Sequence, residues 1–251
     1  MTPERYIEPE WLDAVRGKLF YYPAAYEDWA EPLAVFQDYI STFWFCDIHY
    51  ERGLRLGSVF GSDPSYRLVD SEITGAPLAE LSQRVAADGR HYRFLEPSKL
   101  WCTYERGDGR QIVVVRRRGF GQMTLTKEFD KGALGVFMHR GDSTGEGGSN
   151  VFFLSNSKTV YEPCGNLFKK ISYLLSDQAL IISDGSNTSI EVLKQFFNRT
   201  TSGRDAFLHH LGKQFSFGGF LWRCVGWLKP KGGPTLVWGL TREATTQGFQ
   251  K

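Results

Sequence analysis

The chain has 251 residues, 41% of them hydrophobic and 23% charged, with a net charge of +2. That length buries a sizeable core without disulfide or metal staples, and the composition is that of an ordinary globular protein. The small net charge argues against a general electrostatic attraction to nucleic acid, so none is expected as a partner. Cys46, Cys102, Cys164 and Cys224 are too widely spaced for a CxxC metal or redox pair. The first residues, "MTPERYIEPEW", contain no apolar signal region, and no run reaches membrane-spanning length. The expectation is a cytoplasmic protein with no membrane contact.

Along the chain, "GKLFYYPA" reads as a strand ending at Pro23. In "EDWAEPLAVFQDYI", Leu33, Phe36 and Ile40 recur at helical spacing. Either Asp28 caps this helix with Glu31 completing a capping box, or Pro32 is its first residue. "TFWFCDIHY" follows as a buried strand, which completes a βαβ unit and predicts a parallel strand pair. Residues 52–66 are punctuated by Gly and Pro and read as a loop or short hairpin, and "APLAELSQRVAADG" reads as a helix closed by Gly89. "HYRFLE", "LWCTYER", "QIVVVRR" and "GQMTLTKE" are strand-like, with a tight turn at Asp108-Gly109 between the middle two. The basic run Arg116–Arg118 reads as a solvated strand end.

"ALGVFMH" is a further strand, "GNLFKKISYLLSD" a helix, "QALIIS" a buried strand and "IEVLKQFFN" a helix. "KQFSFGGFLWRCVGWL" and "GPTLVWGLTR" read as two closing strands joined by "KPKGG". With no repeat or low-complexity linker, residues 1–251 are expected to form one α/β domain. The pattern predicts a Rossmann-like, mainly parallel mixed sheet with an antiparallel C-terminal hairpin.

In an open α/β sheet ligands bind beyond the carboxyl ends of the strands. That rule selects Asp47 at the end of the second strand and the polar stretches after two later ones. In "HRGDSTGEGGSN", Arg140 would pair with an anionic ligand, while Gly145, Gly147, Gly148 and Ser149 would offer backbone N–H groups. Asp142 and Glu146 are the candidate catalytic carboxylates, suited to general-base work. In "SDGSNTS", Asp184, Ser186, Asn187 and Thr188 lie between a strand and a helix start, where phosphate or carboxylate is stabilised.

This last stretch resembles the ribose-phosphate loop of the phosphoribosyltransferases over fewer than a dozen residues. One acid, Asp184, stands where that family has two, and no glycine follows Thr188, so the activity is not carried over. The first βαβ unit and the closing hairpin resemble the layout of class I methyltransferases. "PAAYED" holds no glycine where both those enzymes and dinucleotide-binding proteins place several. Asp47 matches the position of an acidic residue that takes ribose hydroxyls.

The sequence therefore suggests a protein that binds a nucleotide-like or phosphorylated small molecule and supports group transfer; no cofactor is specified. The other reading is a non-catalytic binding or regulatory module, with Trp29, Trp222, Trp227 and Trp238 offered to a protein partner.

Overall fold

A computed structural model describes residues 5–23, 25, 28–47, 63–74, 99–118, 128–139, 167–183, 208–228 and 235–244. The N-terminal part contributes β1 (Tyr6–Ile7), α1 (Pro9–Ala14), β2 (Leu19–Tyr22), α2 (Ala30–Phe36) and β3 (Thr42–Asp47). The middle supplies β4 (Tyr66–Thr74), β5 (Lys99–Arg106), β6 (Gln111–Arg118) and β7 (Leu134–His139). Then come α3 (Leu167–Leu174), β8 (Leu175–Ser183), β9 (Gln214–Phe217), β10 (Phe220–Leu228) and β11 (Thr235–Arg242).

All eleven strands join one sheet in the order β1-β10-β11-β8-β7-β2-β3-β6-β5-β4, with β9 paired to β10. Its centre is parallel: β2 pairs with β3 and β7, β3 with β6, and β7 with β8. These are the strands whose sequences are apolar on both sides, as burial on two faces demands. Every residue of β7 is buried. Alternation distributes the core. Tyr21, Trp44, Phe137, Ile181 and Trp238 face α3, whose Ile171 and Leu174 cover them. Phe20, Phe43, Phe45, Val114 and Ile182 face Leu33 and Phe36 of α2 and Trp11 and Val15 near α1. Phe20 alone meets Phe36, Phe43 and Phe45 with ring centroids 5.6, 5.3 and 5.7 Å away, the offset contact that aromatic quadrupoles favour.

The βαβ unit stands, with β2 and β3 parallel around α2. The Rossmann-like, mainly parallel architecture does not. Among the described residues 57% are strand and 17% helix, and the helices are short. Antiparallel pairing also extends well beyond a closing hairpin. On one flank β6, β5 and β4 form an antiparallel meander. On the other, β8 pairs antiparallel with β11, β11 with β10, and β10 with both β9 and β1. The physical reason is that a βαβ period is local, whereas partners such as β1 for β10 come from opposite ends of the chain and leave no local trace. The helices expected over 76–89 and 190–198, and the strands over 91–96 and 121–128, lie outside the described residues apart from Glu128.

Three local readings change as well. β4 was not foreseen, because "YRLVDSEIT" is exposed along nearly its whole length and has no buried face to impose alternation. The stretch "KQFSFGGFLWRCVGWL" is two strands, since Gly218 and Gly219 adopt φ of +63° and +82° and turn the chain between β9 and β10. Two positive φ angles in sequence are what a two-residue hairpin requires. Finally, α2 begins at neither foreseen place. Trp29 is its N-cap, without a side-chain capping bond, and Pro32 sits inside the first turn. The turn at Asp108-Gly109 is as expected, with Gly109 at φ +82° and its N–H donating to Arg106 O at 2.9 Å.

Trp29, Trp222, Trp227 and Trp238 are between 0 and 8% exposed. They are core, which corrects their assignment to a partner surface. Cys46 and Cys224 are buried, as their apolar neighbours imply, and so is Cys102. Among the described residues no helix is long and apolar enough to cross a membrane.

Candidate functional site at the carboxyl edge of the parallel strands

Because β2, β3, β6, β7 and β8 run the same way, their last residues share one edge of the sheet: Tyr22, Asp47, Arg118, His139 and Ser183. Register makes the edge even, with Asp47 opposite Arg118 and His139 opposite Ser183. β5 begins there, with Lys99 opposite Arg117, and β11 enters there, with Leu236 opposite Ser183.

Polar side chains concentrate on this edge despite its burial. Asp47 is 5% exposed, Arg116 0%, Arg117 2%, His139 1% and Ser183 0%. A strand places successive side chains on opposite faces, so the edge has two chemistries. Asp47 and Arg116 share the face of Phe45 and Val114, while Cys46 and Arg117 share that of Trp44 and Val115.

On the Asp47 face the chain leaving β2 folds back over the edge. Ala25 N donates to Cys46 O at 2.9 Å, Asp28 N donates to Ala25 O at 2.8 Å, and the Tyr22 hydroxyl donates to Asp28 Oδ2 at 2.9 Å. Asp28 is thus spent on holding this turn, which is why it does not cap α2. The turn delivers Trp29, whose ring lies 5.8 Å from the Arg116 guanidinium carbon. A stacked, buried guanidinium beside a carboxylate-bearing strand end is a setting in which hydroxyls and anions are held by directed hydrogen bonds.

On the other face Lys99 Nζ meets Glu128 Oε2 at 2.7 Å, and Arg117 Nε lies 3.8 Å from Glu128 Oε1. The Tyr21 hydroxyl and Cys46 thiol interact with each other and with Arg117; burial, the largest cause in both cases, pushes both groups up and keeps them neutral. Trp44, Trp101 and Phe129 wall this cluster, Trp44 meeting each of the other two edge-on at 5.1 Å.

Of the residues the sequence singled out, Asp47 is where it was expected, at the tip of β3. Arg140, Asp142, Gly145, Glu146, Gly147, Gly148, Ser149, Asp184, Ser186, Asn187 and Thr188 lie outside the described residues. Their anchoring strands, β7 and β8, do end together at this edge. Arg116 and Arg117 were missed and are the main correction. The run was read as solvated, yet β6 lies between β3 and β5 and buries both side chains. The available signal was the unbroken "VVVRRR", in which strand alternation continues straight from valine into arginine. Among the described residues, no three His, Cys, Asp or Glu side chains gather as metal ligands. No protein-family model matches the chain, and no curated protein sequence is similar to it.

Proposed function

We propose that the chain binds a nucleotide-like or phosphorylated small molecule at this edge and that group transfer is the chemistry it supports. One observation carries the reading. β3, β7 and β8 are parallel and end together, so Asp47 shares one edge of the sheet with His139 and Ser183, the residues that precede the polar segments 140–150 and 184–189. A buried carboxylate at a strand tip is an acceptor for vicinal hydroxyls such as those of ribose, while Arg140 and the segment around Asp184 supply partners for phosphate. Asp142 and Glu146 are the bases within this reading. The four tryptophans that the module reading offers to a partner are buried.

The test is thermal melting with adenosine-containing cofactors, sugar nucleotides and phosphorylated sugars at millimolar concentration. A ligand present at about 100 times its Kd adds about 2.7 kcal/mol to the folded state, so the midpoint should rise clearly. Asp47→Asn, which preserves shape and removes charge, should lose that rise. No shift with any of these compounds, or an equal shift in the variant, would overturn the proposal.

A further inference from the structure

On the face opposite Asp47, Lys99, Arg117 and Glu128 place two cations against one carboxylate. Lys99 takes the close contact, at 2.7 Å, and leaves Arg117 with a 3.8 Å approach that is too long for a hydrogen bond. The Arg117 side chain is 3% exposed, and among the described residues its Nε and Nη1 are buried without a hydrogen-bond partner. Tyr21 and Cys46, also beside it, are held neutral by burial and bring no negative charge. An incompletely paired guanidinium in a dry setting is costly, and proteins rarely keep one without a counter-charge. Lys99 and Glu128 are 21% and 16% exposed, so the cluster opens to solvent past them.

We propose that Arg117 and Lys99 form a subsite for one oxyanion, the carboxylate or phosphate of a small ligand, which supplies the missing negative charge. The aromatic wall of Trp44, Trp101 and Phe129 lowers the local dielectric and strengthens that attraction. Lys99 Nζ already stands 5.6 Å from the Trp44 ring centre, so the wall holds this cation in place. The subsite does not need Asp47, which lies on the other face, and it stands apart from the reading proposed above.

The experiment titrates the whole chain with sodium orthophosphate and, separately, with sodium acetate, against sodium chloride at matched ionic strength. The readouts are thermal midpoint and titration calorimetry. The parent should respond to at least one oxyanion above the chloride baseline; the two arms tell phosphate from carboxylate. Arg117→Met removes the charge at similar volume and should abolish the response while melting no lower than the parent, because an incompletely paired buried charge has gone and Glu128 keeps Lys99. Glu128→Gln acts with the opposite sign: it removes the competing carboxylate and should tighten binding by about tenfold, equivalent to about 1.4 kcal/mol. It also serves if Arg117→Met fails to fold. No oxyanion response in the parent, or Glu128→Gln binding no tighter than the parent, would overturn the subsite. Asp47→Asn should keep the oxyanion response, so a parent that answers to orthophosphate but to no nucleotide sinks the proposed function and leaves the subsite standing.

Discussion

His210 shows how a single buried side chain sets a pH dependence. It is 4% exposed, and burial, followed by the charges of Lys213 and His209, lowers its pKa below the usual histidine range. The folded protein therefore keeps it neutral, while the unfolded chain takes up a proton near pH 6.5. Between those two values the unfolded state binds more protons, so stability falls as pH drops below about 6.5. The melting midpoint should decline between about pH 7.5 and pH 5.5, and His210→Gln should flatten that decline. A parallel decline in the variant would place the effect elsewhere. At this scale the sequence was uneven as a guide. Cys46 and Cys224 announce their burial through the apolar residues on either side. Cys224, with its thiol pushed up to about 12 chiefly by burial, is an inert core residue. Arg116 and Arg117 announce only the strand they continue, because what covers them, Trp29 on one face and Glu128 on the other, comes from distant stretches.

Among the elements, the β9–β10 hairpin is the clearest case of information present but hidden. Phe215 and Phe217 pack on Trp222, and the Trp222 indole donates to Phe217 O at 3.0 Å. Those contacts need the chain to reverse at Gly218-Gly219. Reading through the two glycines merged two strands into one. Gly219→Val puts a β-branched side chain at φ +82°, where only glycine is at ease. Nothing lies within 4 Å of a Cβ there, so the penalty is conformational alone. Urea unfolding should show a loss of about 1–2 kcal/mol with an unchanged m-value. Equal midpoints for variant and parent would mean the turn is not held in this form. β4 is the opposite case, since a strand with no buried face carries no pattern to read.

For the molecule as a whole, burial grades from the middle of the sheet outward. β7 is fully buried and β2 nearly so, whereas β4 at one margin is exposed along its length. Local opening follows that grading. Hydrogen exchange should be slowest in β2, β7 and β8 and fastest in β4, with a protection map from mass spectrometry as the measurement. Comparable protection in β4 and β7 would contradict this description of the sheet. The centre was legible from sequence because parallel strands buried on two faces read as continuous apolar runs. In the antiparallel flanks the β5–β6 and β10–β11 hairpins were legible, but the rest was not, because β1 pairs with β10 and β8 with β11 through contacts that no local window contains. Asp47 was legible because it ends a readable strand.

The strand order also bears on how the chain is made. β2 and β3 emerge early and pair with each other, yet the second edge of β2 is closed by β7, and β1 waits for β10. A nascent chain leaving the ribosome therefore carries an uncovered apolar β2 edge until residues 134–139 have followed. Closing it means joining distant stretches, the slow kind of folding step that exposes hydrophobic edges to wrong partners. The middle of this sheet is its most protected region once formed and its most vulnerable one before then.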